Sequence, residues 1–201
     1  MRPLAGDVSP LAPVKASDDV LMARFCRGDE AAFEVLYARY AGVVFGFLNR
    51  MLHDQAGAED TLQATFLSFV RSRGRYEAGT SVRGWLFAIA ANAGRDALRR
   101  RKARREDLAD PDSADVPADA AAAPDPGLAR DIEVAFAALP AAEREAIILH
   151  KICGFSFEEI AGSLGITATA AKVRAHRGYQ RLRLLLGETP EVQDHAKEGL
   201  T

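Results

Sequence analysis

The chain has 201 residues, 48% of them hydrophobic, with 26 Lys+Arg against 28 Asp+Glu and a net charge of −2. That apolar content excludes a fully disordered polymer, and no apolar run approaches the ~20 residues that span a bilayer. Residues 1–16 hold no export-type apolar core, and Cys26 and Cys153 make no disulfide framework, so both are expected as reduced, buried thiols of a cytoplasmic protein.

Past a loose tail over 1–16, Ser17 suits an N-cap, with Asp18 and Asp19 in the first turn and Leu21 and Phe25 one turn apart. Gly28-Asp29 breaks that helix and caps a second. There Phe33, Leu36, Tyr37, Tyr40, Val44, Phe47, Leu48 and Met51 form an apolar stripe at three- and four-residue spacing. A third helix follows Asp54, with Ala58, Leu62, Phe66, Phe69 and Val70 inward, and ends near Gly74. A fourth starts around Ser81, turns Trp85, Leu86, Ile89, Ala93 and Ala97 inward, and runs into an arginine block. No segment alternates with period two for long enough to make a strand.

Residues 106–127 are rich in Pro, Ala and Asp with few large apolar side chains, and read as a flexible acidic linker. A second helical domain over 128–187 opens with Leu128, Ile132, Ala135, Phe136 and Leu139 on one face, stopped by Pro140. A helix from Ala141 to about Ile152 ends at Gly154. Ser156 and Glu159 then form a capping box, Gly165 makes a turn over Ile166, and Thr167 or Thr169 caps a long helix. On that helix Ala171, Ala175, Gly178 and Leu182 face inward while Lys172, His176, Arg177 and Arg181 point away. The pattern is a helix-turn-helix. Residues 188–201 read as a C-terminal tail. The expected fold class is all-α: a four-helix domain over 17–105 and a helix-turn-helix domain, joined by the linker.

The near-neutral balance hides a segregation of charge. RDALRRRKARR (95–105) carries seven positive residues against Asp96 alone, the next 22 residues carry seven acids and no base, and KVRAHRGYQRLR (172–183) carries five positive charges. Either basic block alone reads as a solvated helix face or a phosphate-binding surface; two at the ends of amphipathic helices favour phosphate. In the helix-turn-helix, position nominates Thr169, Ala170, Lys172, Val173, Arg174, His176 and Arg177 for the major groove and its flanking phosphates. Near the first block, Trp85, Phe87, Asn92, Arg95, Arg99 and Arg100 combine flat, amide and cationic groups of the kind that hold an opened strand. Trp85 also suits core packing. His150-x-x-Cys153 supplies only two of the four ligands of a zinc site, no cofactor-binding motif is present, and no nucleophile–base set marks an enzyme.

Three blocks carry a family resemblance: AEDTLQATFLSFV (58–70), GWLFAIAANAGRDALRRR (84–101), and ALPAAEREAIILHKICGFSFEEIAGSLGI followed by AKVRAHRGYQRLR. In this order they resemble the bacterial RNA polymerase sigma factors, and with two domains and a short linker the extracytoplasmic-function (ECF) subgroup. The resemblance implies a dissociable promoter-recognition subunit of core RNA polymerase, without enzymatic activity or membrane insertion of its own and controlled by an anti-sigma factor. It implies core-polymerase contacts at Glu59, Asp60, Gln63 and Phe66. It places Trp85, Asn92, Arg95, Asp96, Arg99 and Arg100 at the opened minus-ten element of promoter DNA, and the helix-turn-helix residues at the minus-thirty-five element. Ala64 stands where the family signature usually has an acid, Thr169-Ala170-Ala171 where Gly-Thr-Val is common, Val173 in place of a common serine, and Gly178 where alanine is usual. Two other readings stay open: a sigma-like decoy that titrates an anti-sigma factor, and a plain helix-turn-helix regulator.

Overall fold

A computed structural model describes residues 16–107 and 126–187; the stretch 108–125, most of the expected linker, and the expected tails 1–15 and 188–201 lie outside the described residues. Among the described residues the chain is helical, without strands. Helix α1 (Asp18–Cys26) starts at Ser17, whose Oγ accepts the Val20 N–H. Gly28, at φ +96°, takes the left-handed turn that L side chains resist, and Asp29 then caps α2 (Glu30–Leu52) by accepting from the Ala32 N–H. Asp54 caps α3 (Gln55–Ser72), and Ser81 accepts from the Gly84 N–H at the start of α4 (Val82–Asp107).

The first half packs around α2. Leu36, Val44, Phe47, Leu48 and Met51 are buried against Leu21 and Phe25 of α1, Phe66 and Phe69 of α3, and Leu86 and Phe87 of α4. Among the described residues α2 alone has the length and hydropathy to cross a membrane, and its apolar face is this core. Thr61 and Thr65 are buried by turning their hydroxyls back onto the Gly57 and Thr61 carbonyls, at 2.6 and 2.7 Å, which satisfies them inside the helix. Gly94 lets α4 approach α2 closely, since a Cβ there would lie 2.8 Å from Met51 Sδ.

In the second half α5 (Pro126–Ala137) leads to α6 (Ala141–Ile147), α7 (Phe157–Leu164) and α8 (Ala168–Leu185). The single helix expected over 141–152 is divided: regular α-helix ends at Ile147, and Ile148–Ile152 form a wider π turn. That turn places Ile148 and Leu149 fully inside the core. The Ser156–Glu159 capping box closes in both directions, at 3.2 and 2.8 Å, Gly165 turns at φ +65°, and Thr167 caps α8. Ala171, Ala175 and Gly178 are buried as expected. Arg181 is exposed, as expected of the outward side, and its guanidinium also pairs with Glu143 of α6 at 2.9 Å. Cys153 is buried, but Cys26, also expected inside, is exposed because it falls on the last turn of α1 away from the Leu21–Phe25 stripe.

The two halves close on one another. Phe87 meets Phe155 edge-on at 5.0 Å, and Ile148, Leu149, Phe155 and Ile160 share one apolar cluster with the first half.

Candidate nucleic-acid interface

Helices α2 and α3 enclose an open groove of about 460 Å³ on the outer face of the first half. Its floor is aromatic: Phe66, only 5% exposed, lies 4.6 Å from Tyr37 and meets Phe33 edge-on at 6.3 Å. Glu59, Asp60 and Gln63 stand exposed along the α3 wall, because they fall on the side opposite Ala58, Thr61 and Thr65. The structure thus brings together all four residues expected at the polymerase, three as polar rim and Phe66 as packed floor. Sequence reasoning missed two members. Tyr37 was placed on the buried stripe of α2 but is 43% exposed, and Leu67, 51% exposed, is a large apolar side chain off the core stripe of α3. For Leu67 the available signal was an apolar residue off the buried face of α3.

On α4 the expected set separates. Phe87 is not available to nucleic acid: it is fully buried, with Phe47 at 5.6 Å and Phe155 at 5.0 Å, and belongs to the core. Trp85 is half-buried on Phe69 and Tyr76, with ring centroids at 5.0 and 5.5 Å. Asn92 is exposed and accepts a hydrogen bond from Arg95. Asp96 pairs with Arg99 one turn on, so the acid in the basic block orients a neighbouring arginine. Arg99 and Arg100 are exposed. Arg95 is different: its Nη1 reaches across to the second half and donates to both carboxylate oxygens of Glu145, at 3.2 and 3.1 Å.

On α8, Thr169, Lys172, Val173, His176 and Arg177 are exposed along one side, with Ala170 and Arg174 half-buried beside them. The buried side is made of small residues. A Cβ on Gly178 would lie 2.6 Å from Ile147 Cδ1, so α8 crosses α6 closely here and a larger residue has to displace that side chain. His150 donates from Nδ1 to the Phe155 carbonyl at 2.8 Å and stacks on Phe157 at 4.3 Å.

The seam between the halves is lined by charged groups that sequence reasoning did not connect. Arg83 donates to the Cys153 carbonyl, and its guanidinium lies 4.0 Å over the Phe155 ring. Arg144 donates to the Met51 carbonyl at 2.8 Å and to the Leu139 carbonyl at 3.1 Å. Burial holds Arg144 below the usual arginine range, a shift to which Arg101 adds. Glu145, 1% exposed, is pushed above the ordinary glutamate range by burial, against the opposing pull of Arg95 and then Arg174. Burial also pushes the Cys153 thiol up to about 11. These pairings link residues far apart in sequence, and no local pattern announces them.

A helical body with an open aromatic groove, followed by a helix-turn-helix with a basic second helix, has the architecture of a two-domain sigma-type subunit. The sigma-70 region 2 family model matches residues 36–104, and the sigma-70 region 4 family model matches 129–182. The RNA polymerase sigma factor CarQ of Myxococcus xanthus is 54% identical over 172 residues, which is 83% of this chain and 96% of that protein. The ECF RNA polymerase sigma factor SigE of Mycolicibacterium smegmatis is 36% identical over 166 residues, covering 78% of this chain and 63% of that protein. Among solved structures, the sigma factor RpoE of Bartonella quintana in complex with the anti-sigma factor NepR aligns with a TM-score of 0.66 at 27% identity, over 79% of this chain and 98% of that one. CnrH in complex with the cytosolic domain of CnrY aligns with a TM-score of 0.66 at 25% identity, over 86% of this chain and 99% of that one. The chain belongs to the ECF sigma factors, the RNA polymerase subunits that direct promoter recognition and transcription initiation.

Proposed function

We propose that the α2–α3 groove takes the coiled coil of the polymerase largest subunit, with Asp60, Gln63 and Glu59 as polar contacts on the rim and Phe66 as the floor that sets its shape. The observation that carries this reading is the exposed Asp60–Gln63 rim over an aromatic floor, polar groups ordered on rigid helices. Helix α4 then holds the opened minus-ten element through Asn92, Arg95, Arg99 and Arg100, with Asp96 orienting Arg99 and Trp85 at the edge of the surface. Helix α8 reads the minus-thirty-five element, with Lys172, Arg174, His176 and Arg177 at phosphates or guanine edges and Thr169, Ala170 and Val173 against bases. Residues 17–105 and 128–187 act as two separate readers tethered by 106–127, which raises avidity only when both engage together.

The structural relatives RpoE and CnrH were each solved with a regulatory partner, NepR and the CnrY cytosolic domain. By analogy this chain is held inactive by an anti-sigma factor. It works in the cytoplasm alongside polymerase and carries no enzymatic activity of its own.

Run-off transcription with core polymerase tests the assignment. Promoter-dependent transcripts are expected on addition of the chain; a decoy or a plain regulator yields none, and that outcome refutes the assignment.

A further inference from the structure

Apart from the α2–α3 groove and the basic helix faces, a second cavity of about 270 Å³ lies where the first turns of α4 meet α7. Two glycines open it. Gly84 of α4 and Gly162 of α7 put no side chain into the space, and a Cβ on Gly162 would meet nothing within 4 Å. The indole of Trp85 supplies a flat wall, held in place by Phe69 and Tyr76, with ring centroids at 5.0 and 5.5 Å. Two hydroxyls converge on Gly84, since a Cβ there would lie 3.4 Å from both Ser81 Oγ and Ser163 Oγ. Ser163 Oγ is buried without a hydrogen-bond partner among the described residues, a costly state for a hydroxyl removed from water.

Charge decides what fits. Among the described residues the one charged side chain on the lining is Glu159. Its Oε2 accepts from the Ser156 N–H in the capping box, which leaves Oε1 for a ligand. Arg83, the cation next to Gly84, is engaged with the Cys153 carbonyl and the Phe155 ring and does not line the cavity. A carboxylate without a balancing cation disfavours anionic ligands, and an indole face attracts cations more strongly than any other side-chain ring. We propose that this cavity binds a small aromatic cation, an amidine or a protonated amino-heterocycle, stacked on Trp85 with its N–H groups donating to Glu159 and Ser163 Oγ. The volume lies just under the roughly 300–1,000 Å³ of drug-sized pockets, so the site takes a single ring system.

Trp85 is the chain's one tryptophan, so its emission reads the site directly. The full chain is titrated with benzamidine, a planar amidinium, and with benzamide, its neutral isostere, under selective indole excitation. Benzamidine is expected to change the emission saturably with a Kd of about 1 mM, the range of a one-ring ligand, and benzamide to bind roughly threefold more weakly. Two variants locate the contact. Gly162→Leu fills open space on an exposed helical position, and is expected to keep its helicity and lose the response. Glu159→Gln preserves the capping box, since glutamine serves at that position, and is expected to bind the two probes equally. An emission that does not saturate in the wild-type chain overturns the site, and so does an unchanged Kd in Gly162→Leu. A preference for benzamidine that survives in Glu159→Gln overturns the pairing of the cation with Glu159.

Discussion

Gly178 is the position where sequence statistics and packing make opposite predictions. It sits mid-helix in α8, where alanine is usual in the family, and Gly→Ala in a helix interior is worth about 0.5–1 kcal/mol of stability from backbone entropy. The structure opposes that gain. A Cβ at 178 would come 2.6 Å from Ile147 Cδ1 and 3.3 Å from both Ile147 Cγ1 and Glu143 Cβ. Ile147 is 3% exposed, so its side chain has little room to yield, and overpacking of this kind costs about 1–3 kcal/mol. The two effects leave Gly178→Ala destabilised by about 1 kcal/mol. Ile147→Val removes the clashing Cδ1 and by itself costs about 0.5–1.5 kcal/mol. Combined with Gly178→Ala it should cost less than the sum of the two, with a coupling of about 1 kcal/mol in a double-mutant cycle read by urea unfolding. A stabilised Gly178→Ala chain, or strictly additive mutants, would refute the argument that the α6–α8 crossing demands glycine.

Asp60→Ala should weaken core-polymerase binding by about 1 kcal/mol, roughly fivefold, with circular dichroism unchanged, since Asp60 is exposed and makes none of the α3 capping contacts; wild-type affinity would remove Asp60 from the interface. Arg174→Ala and Arg177→Ala should each weaken promoter binding by about 1–3 kcal/mol where the contact is to a base; a loss uniform across sequences with a shallower salt slope identifies phosphate contact instead. In native protein at pH 8, one thiol should react quickly with a disulfide reagent and one slowly. Cys26 is exposed, whereas Cys153, with its pKa raised to about 11, is thiolate in only on the order of one molecule in a thousand at that pH. Its rate should climb about tenfold per pH unit until the fold opens, and two thiols reacting together at pH 8 would contradict its burial.

Local chemistry was legible wherever a residue and its partner lie within one turn. Ser17, Asp29, Asp54, Ser156 and Thr167 all cap the helices they precede, and the Ser156–Glu159 box closes as its spacing requires. The polar rim of the groove was legible for the same reason: Asp60 and Gln63 lie three residues apart, opposite an apolar stripe. The π turn at Ile148–Ile152 was not, because the consecutive apolar residues Ile147, Ile148 and Leu149 are all buried and satisfy an α or a π spacing equally well. Phe87 failed as a strand-holding candidate because its position next to Trp85 and Leu86 gives no sign that a second body covers it. Phe155, from beyond the expected linker, packs edge-on against it to complete that core.

The arginines make the same point with more consequence for function. Within RDALRRRKARR every cation has the same local surroundings, and phosphate is the simplest counter-charge for the whole run. Folding divides them: Arg99 answers to Asp96, Arg101 to the Leu52 carbonyl, and Arg95 to Glu145, fifty positions away. Charge patterning identifies what an arginine seeks, yet whether the chain itself supplies it depends on which helix closes over it. Arg95 is where that distinction is plainest, because the counter-charge it holds comes from a helix beyond the expected linker and not from its own run.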